Sequence, residues 1–212
     1  FGIFGCLNGS IEYYNKTSDA LLLEKPLAPS TGFENAISNL GGMRNQGIEI
    51  DLHSTNINTK DFTWTTDFNI AFNNNKITSY PQKEEVVGTK IRTVGYSIYE
   101  FYMQEWAGVD PVNGDPLWYM DVTDDKGNPT GERTTTNTYS KATKYKLGSA
   151  LPSATGGLTN TVSWKGVDFS FMFTYGFGGK IYDVYEENLL NDGNKTGYQL
   201  ITEQAELSLI HI

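Results

Sequence analysis

Two stretches in which nearly every second side chain is apolar constrain the fold of this 212-residue chain more than any other feature. Over residues 62–72 the even positions read Phe, Trp, Thr, Phe, Ile and Phe. Over residues 167–177 the odd positions read Val, Phe, Phe, Phe, Tyr and Phe. Because successive side chains of a strand point to opposite faces, each stretch predicts an amphipathic β-strand. Residues 47–54 and 157–164 repeat the pattern over shorter lengths.

Strand length distinguishes between two all-β folds. Eleven residues at about 3.3 Å each, tilted by about 40 to 45°, rise by about 26 Å, the height of the apolar band of an outer-membrane barrel. The strands of a soluble sandwich are usually about five or six residues long. We therefore predict an all-β fold, a partial transmembrane antiparallel β-barrel. A secreted or surface β-sandwich that binds carbohydrate is the alternative.

A barrel in a membrane presents its apolar strand faces to lipid and its polar strand faces to a wet lumen. Short polar residues such as Thr159, Thr161, Ser163 and Ser170 suit such a lumen, and His53 falls on the same kind of face as a hydrated residue. We expect ten side chains to face lipid: Phe62, Trp64, Phe68, Ile70, Phe72, Trp164, Val167, Phe169, Phe171 and Phe173.

The alternation also predicts strand register, because opposed residues of paired strands share a face. Pairing Trp164 with Val167 keeps both apolar sets together and leaves Lys165-Gly166 as a two-residue turn in which Gly166 takes a positive φ. In residues 48–54 and 62–72 the apolar positions are all even-numbered. An odd number of residues must therefore connect these strands, and we predict a loop of three or five.

Composition and charge exclude other classes of protein. The 25 acidic and 16 basic residues give a net charge of -9, which opposes the phosphate neutralisation that a nucleic-acid-binding protein needs. A single cysteine permits no internal disulfide, and two widely separated histidines indicate no zinc cluster. No nucleophile elbow or dinucleotide-binding loop is complete. We expect no nucleic acid partner, no metal, no cofactor and no enzymatic activity.

One acidic segment is similar to a calcium-binding loop. Asp121 to Glu132 has acids at its first, fifth and twelfth positions, but Lys126 stands where the sharp turn requires glycine and Thr123 replaces an acid. We interpret the segment as a hairpin turn. Whether it binds calcium stays open.

Several short motifs occur in order along the chain: Gly42 to Glu49, Asp61 to Trp64, Asn73 to Ile77, Trp106 to Pro111 with Gly114 to Pro116, Leu147 to Pro152, and Gly156 to Asn160 followed by Trp164 to Phe169. Together they resemble the C-terminal barrel region of SusC/RagA-type TonB-dependent outer-membrane transporters. The resemblance covers about residues 8 to 200, and the ordered series is far more specific than any single motif.

This resemblance implies a fragment of a 22-stranded barrel closed by an N-terminal plug. It also implies a SusD-like surface lipoprotein and an energising TonB-ExbB-ExbD complex as partners, in a Bacteroidetes-like cell. We expect residues 1–204 to be barrel wall with long loops and residues 205–212 to be a non-native tail, with the plug absent from the fragment. The implied function is import of oligomeric nutrients, chiefly glycans, across the cell outer membrane. A passive porin is a further alternative.

The irregular central region contains the candidates for substrate contact, which are Tyr99, Trp106, Trp118 and Tyr119. Their flat apolar rings lie in sequence near the carboxylates Glu100, Glu105, Asp110 and Asp115. Such a mixture can stack on a sugar face and accept hydrogen bonds from its hydroxyls. The alternative is that these rings pack one loop against another.

Overall fold

The computed structural model describes residues 1–185, apart from the side chain of Pro26, and the predicted tail at 205–212 lies outside them. These residues form two compact units, of which the first is Phe1–Phe101 with Gly148–Lys180 and the second contains Tyr102–Leu147. The strands are β1 (Gly2–Ile3), β2 (Leu7–Asp19), β3 (Leu22–Pro26), β4 (Asn35–Asn39), β5 (Gly42–Asn58), β6 (Phe62–Ser79), β7 (Glu84–Val87), β8 (Lys90–Thr93), β9 (Glu100–Gln104), β10 (Trp106–Val109), β11 (Pro116–Thr123), β12 (Pro129–Thr136), β13 (Lys144–Ser149), β14 (Ala154–Trp164) and β15 (Val167–Phe177). Short 3₁₀ helices occupy Pro29–Thr31 and Tyr139–Lys141.

The first unit is built on a six-stranded antiparallel sheet with the order β1-β2-β5-β6-β14-β15. The four alternating stretches lie in β5, β6, β14 and β15, which confirms the predicted strands. β15 has the bounds that the alternation predicts, while β6 continues for seven residues beyond Phe72 to Ser79. The all-β prediction is therefore confirmed.

The predicted hairpin register is confirmed between β14 and β15. Trp164 opposes Val167, and the pairing continues without a shift to Ala154 opposite Phe177. The two turn residues both have positive φ, 49° at Lys165 and 85° at Gly166, as a tight hairpin between right-twisted strands requires.

The connection between β5 and β6 has one of the two predicted lengths. β5 ends at Asn58 and β6 begins at Phe62, so three residues connect them. A β-bulge between Thr55 and Ile57 shifts the pairing by one residue, so that Ile57 opposes Trp64. Nothing in the period-two pattern indicates this bulge.

The connections at the two ends of the sheet differ in length. At one end residues 4–6, 59–61 and 165–166 form short turns between neighbouring strands. At the other end the chain leaves the sheet over residues 20–41 and again over residues 80–153. We call these the turn end and the loop end of the sheet.

The loop-end segments contain the smaller sheets. β3 and β4 form a two-stranded sheet, β13-β9-β8-β7 a four-stranded sheet, and β10-β11-β12 a three-stranded sheet. In the first unit Ile91 is fully buried, and Ile77 and Phe101 are less than a tenth exposed. Among the described residues, these three are the only large apolar side chains that are less than a tenth exposed.

A partly buried polar contact holds residues 97–98 to Asn75 on β6. Asn75 Oδ1 accepts hydrogen bonds from the Ile98 N–H at 3.0 Å and from Ser97 Oγ at 3.4 Å. Ser149 Oγ donates to Ser97 Oγ at 2.8 Å, which links residues far apart in sequence. Since buried polar groups need partners, this network specifies where the loop-end chain returns to the sheet.

Two glycines in the sheet allow tyrosine rings to lie across neighbouring strands. The ring of Tyr175 on β15 covers Gly156 on β14, and its hydroxyl donates to the main-chain oxygen of Asn69 at 2.8 Å. Tyr14 on β2 covers Gly47 on β5 in the same way. A Cβ at either glycine would overlap main-chain oxygen as well as the tyrosine ring. Aromatic rings that cover glycines in this way fix strand register.

The contact at Gly156 can be tested against its neighbour. We expect Gly156→Ala in the intact protein to lower the free energy of unfolding by about 1–3 kcal/mol, because the added methyl group cannot be accommodated beside rigid backbone. Gly157→Ala is the matched control, since its Cβ would lie 3.5 Å from the nearest atom, the Phe173 main-chain oxygen. Denaturant unfolding of both variants provides the measurement. Equal losses would show that Gly156 has no special role.

Candidate functional site

The ten side chains predicted to face lipid lie on one face of the six-stranded sheet. The register aligns Tyr13, Ile48, Phe72, Ala154 and Phe177 as one row across β2, β5, β6, β14 and β15. Every second residue from this row towards the turn end belongs to the same face, which we call the apolar face. That this face contacts lipid remains a prediction.

Nothing in the described residues covers the apolar face. Phe169 and Phe173 are 61% and 62% exposed, and Phe171 is 39% exposed. Neighbouring rings contact one another instead, with centroids 5.8 Å apart for Phe169 and Phe171 and 5.6 Å apart for Phe171 and Phe173. A sandwich would bury this face against a second sheet. The exposed rings therefore count against the sandwich alternative.

The opposite face of the sheet, which we call the polar face, contains mainly small, polar and acidic residues. His53 Nδ1 lies 2.6 Å from Asp67 Oδ1, and both side chains are about half exposed. Thr161 and Ser170 share a hydrogen bond of 3.1 Å across β14 and β15. The two faces of a single layer thus differ sharply in polarity, as expected for a wall between lipid and water.

A chain of hydrogen bonds crosses the apolar face near the turn end, and the sequence did not reveal it. Asn160 Oδ1 accepts from Thr66 Oγ1 at 2.7 Å and from Trp64 Nε1 at 3.0 Å. Asn56 Nδ2 donates to Thr66 Oγ1 at 2.7 Å and Ser54 Oγ to Asn56 Oδ1 at 2.9 Å. We call these five residues the polar ladder. Each member hydrogen-bonds to another member, which lowers the cost of placing these polar groups in a hydrocarbon environment where no water is available.

Two of the four substrate-contact candidates come together in the second unit. Trp106 on β10 opposes Trp118 on β11, and their rings meet edge to face with centroids 5.8 Å apart. Tyr139 adds a third ring 5.2 Å from Trp118, again edge to face. Trp106 and Tyr139 remain 54% and 56% exposed. This aromatic cluster of Trp106, Trp118 and Tyr139 leaves ring surface free for a ligand.

Tyr119 does not join the aromatic cluster, because consecutive residues of a strand point to opposite faces. Its ring centroid lies 5.8 Å from the Arg133 guanidinium carbon, which is also 4.0 Å from the ring centroid of Tyr145. Arg133 Nη1 donates to Glu105 Oε2 at 3.0 Å. Desolvation and a hydrogen bond to Asp121 raise the pKa of Tyr145. The ring of Tyr119 thus lies near Arg133 and not in the aromatic cluster, and its contact with substrate stays a prediction.

Tyr99 belongs to the first unit, whereas the other three candidates belong to the second unit. Its ring is 46% exposed, and Lys90 Nζ lies 5.2 Å from the ring centroid. Tyr139, which the sequence analysis missed, lies in a Thr-, Asn- and Ser-rich stretch that has no alternation.

The segment Asp121 to Glu132 is a hairpin between β11 and β12, as predicted. Asp124 Oδ1 accepts the main-chain N–H groups of Asn128 at 2.8 Å and Lys126 at 2.9 Å. These bonds, above all the one from Asn128, hold the pKa of the Asp124 carboxyl below its usual range.

Within residues 1–185 no group of three or more His, Cys, Asp and Glu side chains could hold a metal ion. In the same residues no helix is long and apolar enough to cross a membrane.

The Asp124 turn should respond to acid. Because folding lowers the pKa of this carboxyl, its stabilising effect is present above the unfolded-state pKa and is lost as the pH falls through the folded-state value. We expect the protection factors of the Lys126 and Asn128 amides, which compare the observed exchange with the intrinsic rate at the same pH, to fall over that acidic range. Asp124→Asn should show the lower protection at neutral pH. If the protection of these two amides in the wild type did not change over the acidic range, the assignment would be wrong.

Arginine substitution tests which face contacts lipid. We expect Phe169→Arg, Phe171→Arg and Phe173→Arg each to impair assembly of the intact protein, with a cost of about 2 to 4 kcal/mol near the bilayer midplane. Ser170→Arg on the polar face is the matched control and should be mild. Heat-modifiable migration on gels measures folding. Equal damage on both faces would indicate a sandwich core.

The chain is similar in sequence to receptors of two bacteria. It shares 30% identity over 209 residues with the TonB-dependent receptor SusC of Bacteroides thetaiotaomicron, covering 89% of this chain and 20% of that protein. It shares 29% identity over 187 residues with TonB-dependent receptor P3 of Formosa agariphila, covering 81% of this chain and 19% of that protein. The chain thus spans about a fifth of the length of these relatives. No protein-family model matches it.

Solved structures of a peptide transporter, RagAB, contain the same fold. One structure of the RagAB peptide transporter matches with a TM-score of 0.75 and 27% identity over 89% of this chain and 21% of that chain. The RagAB peptide importer in its closed-closed state matches with a TM-score of 0.71 and 29% identity, covering 83% of this chain and 20% of that chain.

Proposed function

Since this chain belongs to the TonB-dependent receptors of the SusC/RagA type and forms part of their outer-membrane β-barrel, we propose that the protein containing it imports oligomeric nutrients. The observation that carries the proposal is the exposed apolar face, eleven residues high in β14 and β15. A face of this height fits the hydrocarbon layer of an outer membrane. The relationship to TonB-dependent receptors favours active import over a passive porin.

The proposal includes an orientation for the barrel wall. Outer-membrane barrels have short periplasmic turns and longer extracellular loops. We therefore assign the turn end, with residues 59–61 and 165–166, to the periplasm and the loop end to the cell exterior. The two points where the chain leaves β6 and returns to β14 then face the side from which a nutrient arrives. In sequence, the aromatic cluster lies between these two points.

We propose glycans as the substrate class and the aromatic cluster as a contact. The exposed rings of Trp106 and Tyr139 offer flat apolar surface. Asp115, which accepts from Asn137 Nδ2 at 2.8 Å, lies on a neighbouring turn of the same unit and can accept from sugar hydroxyls. Peptides are the second candidate class, because the solved RagAB structures are of a peptide transporter.

Two partners follow from the proposed function. We expect a SusD-like surface lipoprotein that covers the loop end and a TonB-ExbB-ExbD complex that supplies energy through a region outside this chain. Co-purification of the full-length protein with a lipoprotein encoded beside it would support the first partner. Uptake that persists after removal of TonB would contradict the second.

Alanine at Trp106 or Trp118 should weaken ligand binding without affecting the barrel. We expect a loss of about threefold to tenfold, since one aromatic stacking contact is worth about 0.5–1.5 kcal/mol. Binding to the full-length protein is measured with a pool of neutral plant oligosaccharides and, separately, a pool of tryptic peptides. Trp106→Phe keeps a ring and is the conservative control. Heat-modifiable migration should remain unchanged.

Three outcomes would contradict parts of this proposal. Loss of the folded barrel with no separate binding defect would show that the rings only pack the loops. A defect confined to the peptide pool would replace glycans with peptides. Shorter oligosaccharides produced by a glycosidase-free sample would show enzymatic activity, which we do not expect.

A further inference from the structure

Two basic residues face each other across β5 and β6 without a counter-charge. Arg44 is the direct register partner of Lys76. Like charges at opposed positions of an antiparallel pair destabilise it. Neither side chain forms a salt bridge or hydrogen bond with any other described residue. This basic pair of Arg44 and Lys76 therefore lacks a negative partner within residues 1–185.

Register places the basic pair on the same side of the sheet as the apolar face. From the row of Ile48 and Phe72, the pairing runs without a shift through Gln46 opposite Asn74 to Arg44 opposite Lys76. Two-residue steps along a strand keep the same face. The basic pair thus lies two rows beyond the row of Ile48 and Phe72. The row between them, which contains Gln46 and Asn74, is uncharged.

The height of the basic pair above Phe72 matches the polar headgroup layer of a membrane. Four residues from Phe72 to Lys76 span about 13 Å along the strand, or about 10 Å in height at a tilt of about 40 to 45°. Headgroups occupy the first roughly 5–7.5 Å outside the hydrocarbon core. Long Arg and Lys side chains can bend back towards that layer while their charge stays hydrated. Lys76 is exposed and Arg44 is half-buried, so both can reach it.

The surrounding charges leave the pair available. Asp19 on β2 is the nearest acid by register, since it opposes Gly42, one two-residue step beyond Arg44. It makes no salt bridge with Arg44. Lys16 lies at the same level, opposite Asn45, but on the polar face. A lipid on the outside of the wall meets Arg44 and Lys76 but not Lys16.

We propose that Arg44 and Lys76 bind the phosphate group of a lipid in the outer leaflet of the membrane. The planar guanidinium of Arg44 can donate two parallel hydrogen bonds to phosphate oxygens, and Lys76 adds a point charge. The bound phosphate removes the repulsion between the two side chains. This inference rests on the proposed location and orientation, which put the loop end of the sheet at the outer leaflet.

The test compares two lipids with the full-length protein in mild detergent. The probes are lipid A with both phosphates and the same lipid A after removal of its phosphates. We expect native mass spectrometry to show tighter binding of the phosphorylated form. Each lost charge should weaken that binding about fivefold, so Arg44→Gln combined with Lys76→Gln should weaken it about 25-fold. Binding of the dephosphorylated lipid should not change.

Three controls separate the site from net charge and from free phosphate. Lys16→Gln removes a charge at the same level on the polar face and should leave lipid binding unchanged. Arg44→Lys combined with Lys76→Arg keeps both charges and should retain most of the affinity. Millimolar inorganic phosphate should compete weakly, because it lacks the acyl chains that hold the lipid against the apolar face.

Several results would overturn the inference. They are equal binding of the two lipids by the wild type, unchanged binding by the double glutamine variant, or an equal loss with Lys16→Gln. If the double variant does not fold, Lys76→Gln at its exposed position decides alone, and no loss there rejects the site. Nutrient uptake is measured in parallel. If the wild type imports no nutrient but still binds the phosphorylated lipid more tightly than the dephosphorylated one, the result counts against the proposed function and not against this site.

Discussion

The antiparallel ladder that joins β2, β5, β6, β14 and β15 is the interaction on which the rest of the structure depends. Each pairing fixes the next, so the apolar side chains of five strands align on one face without a second layer behind them. Of the described side chains, only Ile91 is a large one that is fully buried. A soluble protein of this size would gain most of its stability from such burial. Here the backbone hydrogen bonds of the ladder supply the order, because the described residues leave the Phe row exposed.

Period-two alternation explains why so much of this sheet could be predicted from the sequence. A one-residue slip would reverse every side chain, so the parity of Trp164 and Val167 permits one register and one turn length. The bulge beside Ile57 could not be predicted, because the residues around it include no glycine and no break in composition. The bulge adds one residue to β5. As a result Asn56 hydrogen-bonds in the polar ladder, and Ile57 lies on the same face as Trp64.

The candidate contacts were less predictable because they depend on residues distant in sequence. Thr66 and Asn160 look like exceptions to the alternation when read alone, and only the pairing of β6 with β14 joins them. Tyr139 reaches Trp118 through a loop that carries no periodic pattern. Tyr119 is different, since the sequence did contain the information. Consecutive residues of a strand point to opposite faces, so Trp118 and Tyr119 do not present their rings on the same face of β11.

The apolar face changes chemistry with height in the order that a membrane does. At the turn end Lys165 lies beside Trp164, with its Nζ 5.7 Å from the ring centroid, so a cation and an amphipathic ring occur together at that rim. Phe rings follow towards the middle, interrupted by a polar ladder whose members hydrogen-bond to one another. Tyr13 and Phe72 mark the upper rim, and Arg44 and Lys76 lie beyond it. A packed protein core gives no reason for this order, whereas the predicted contact of this face with hydrocarbon between two charged interfaces would account for it.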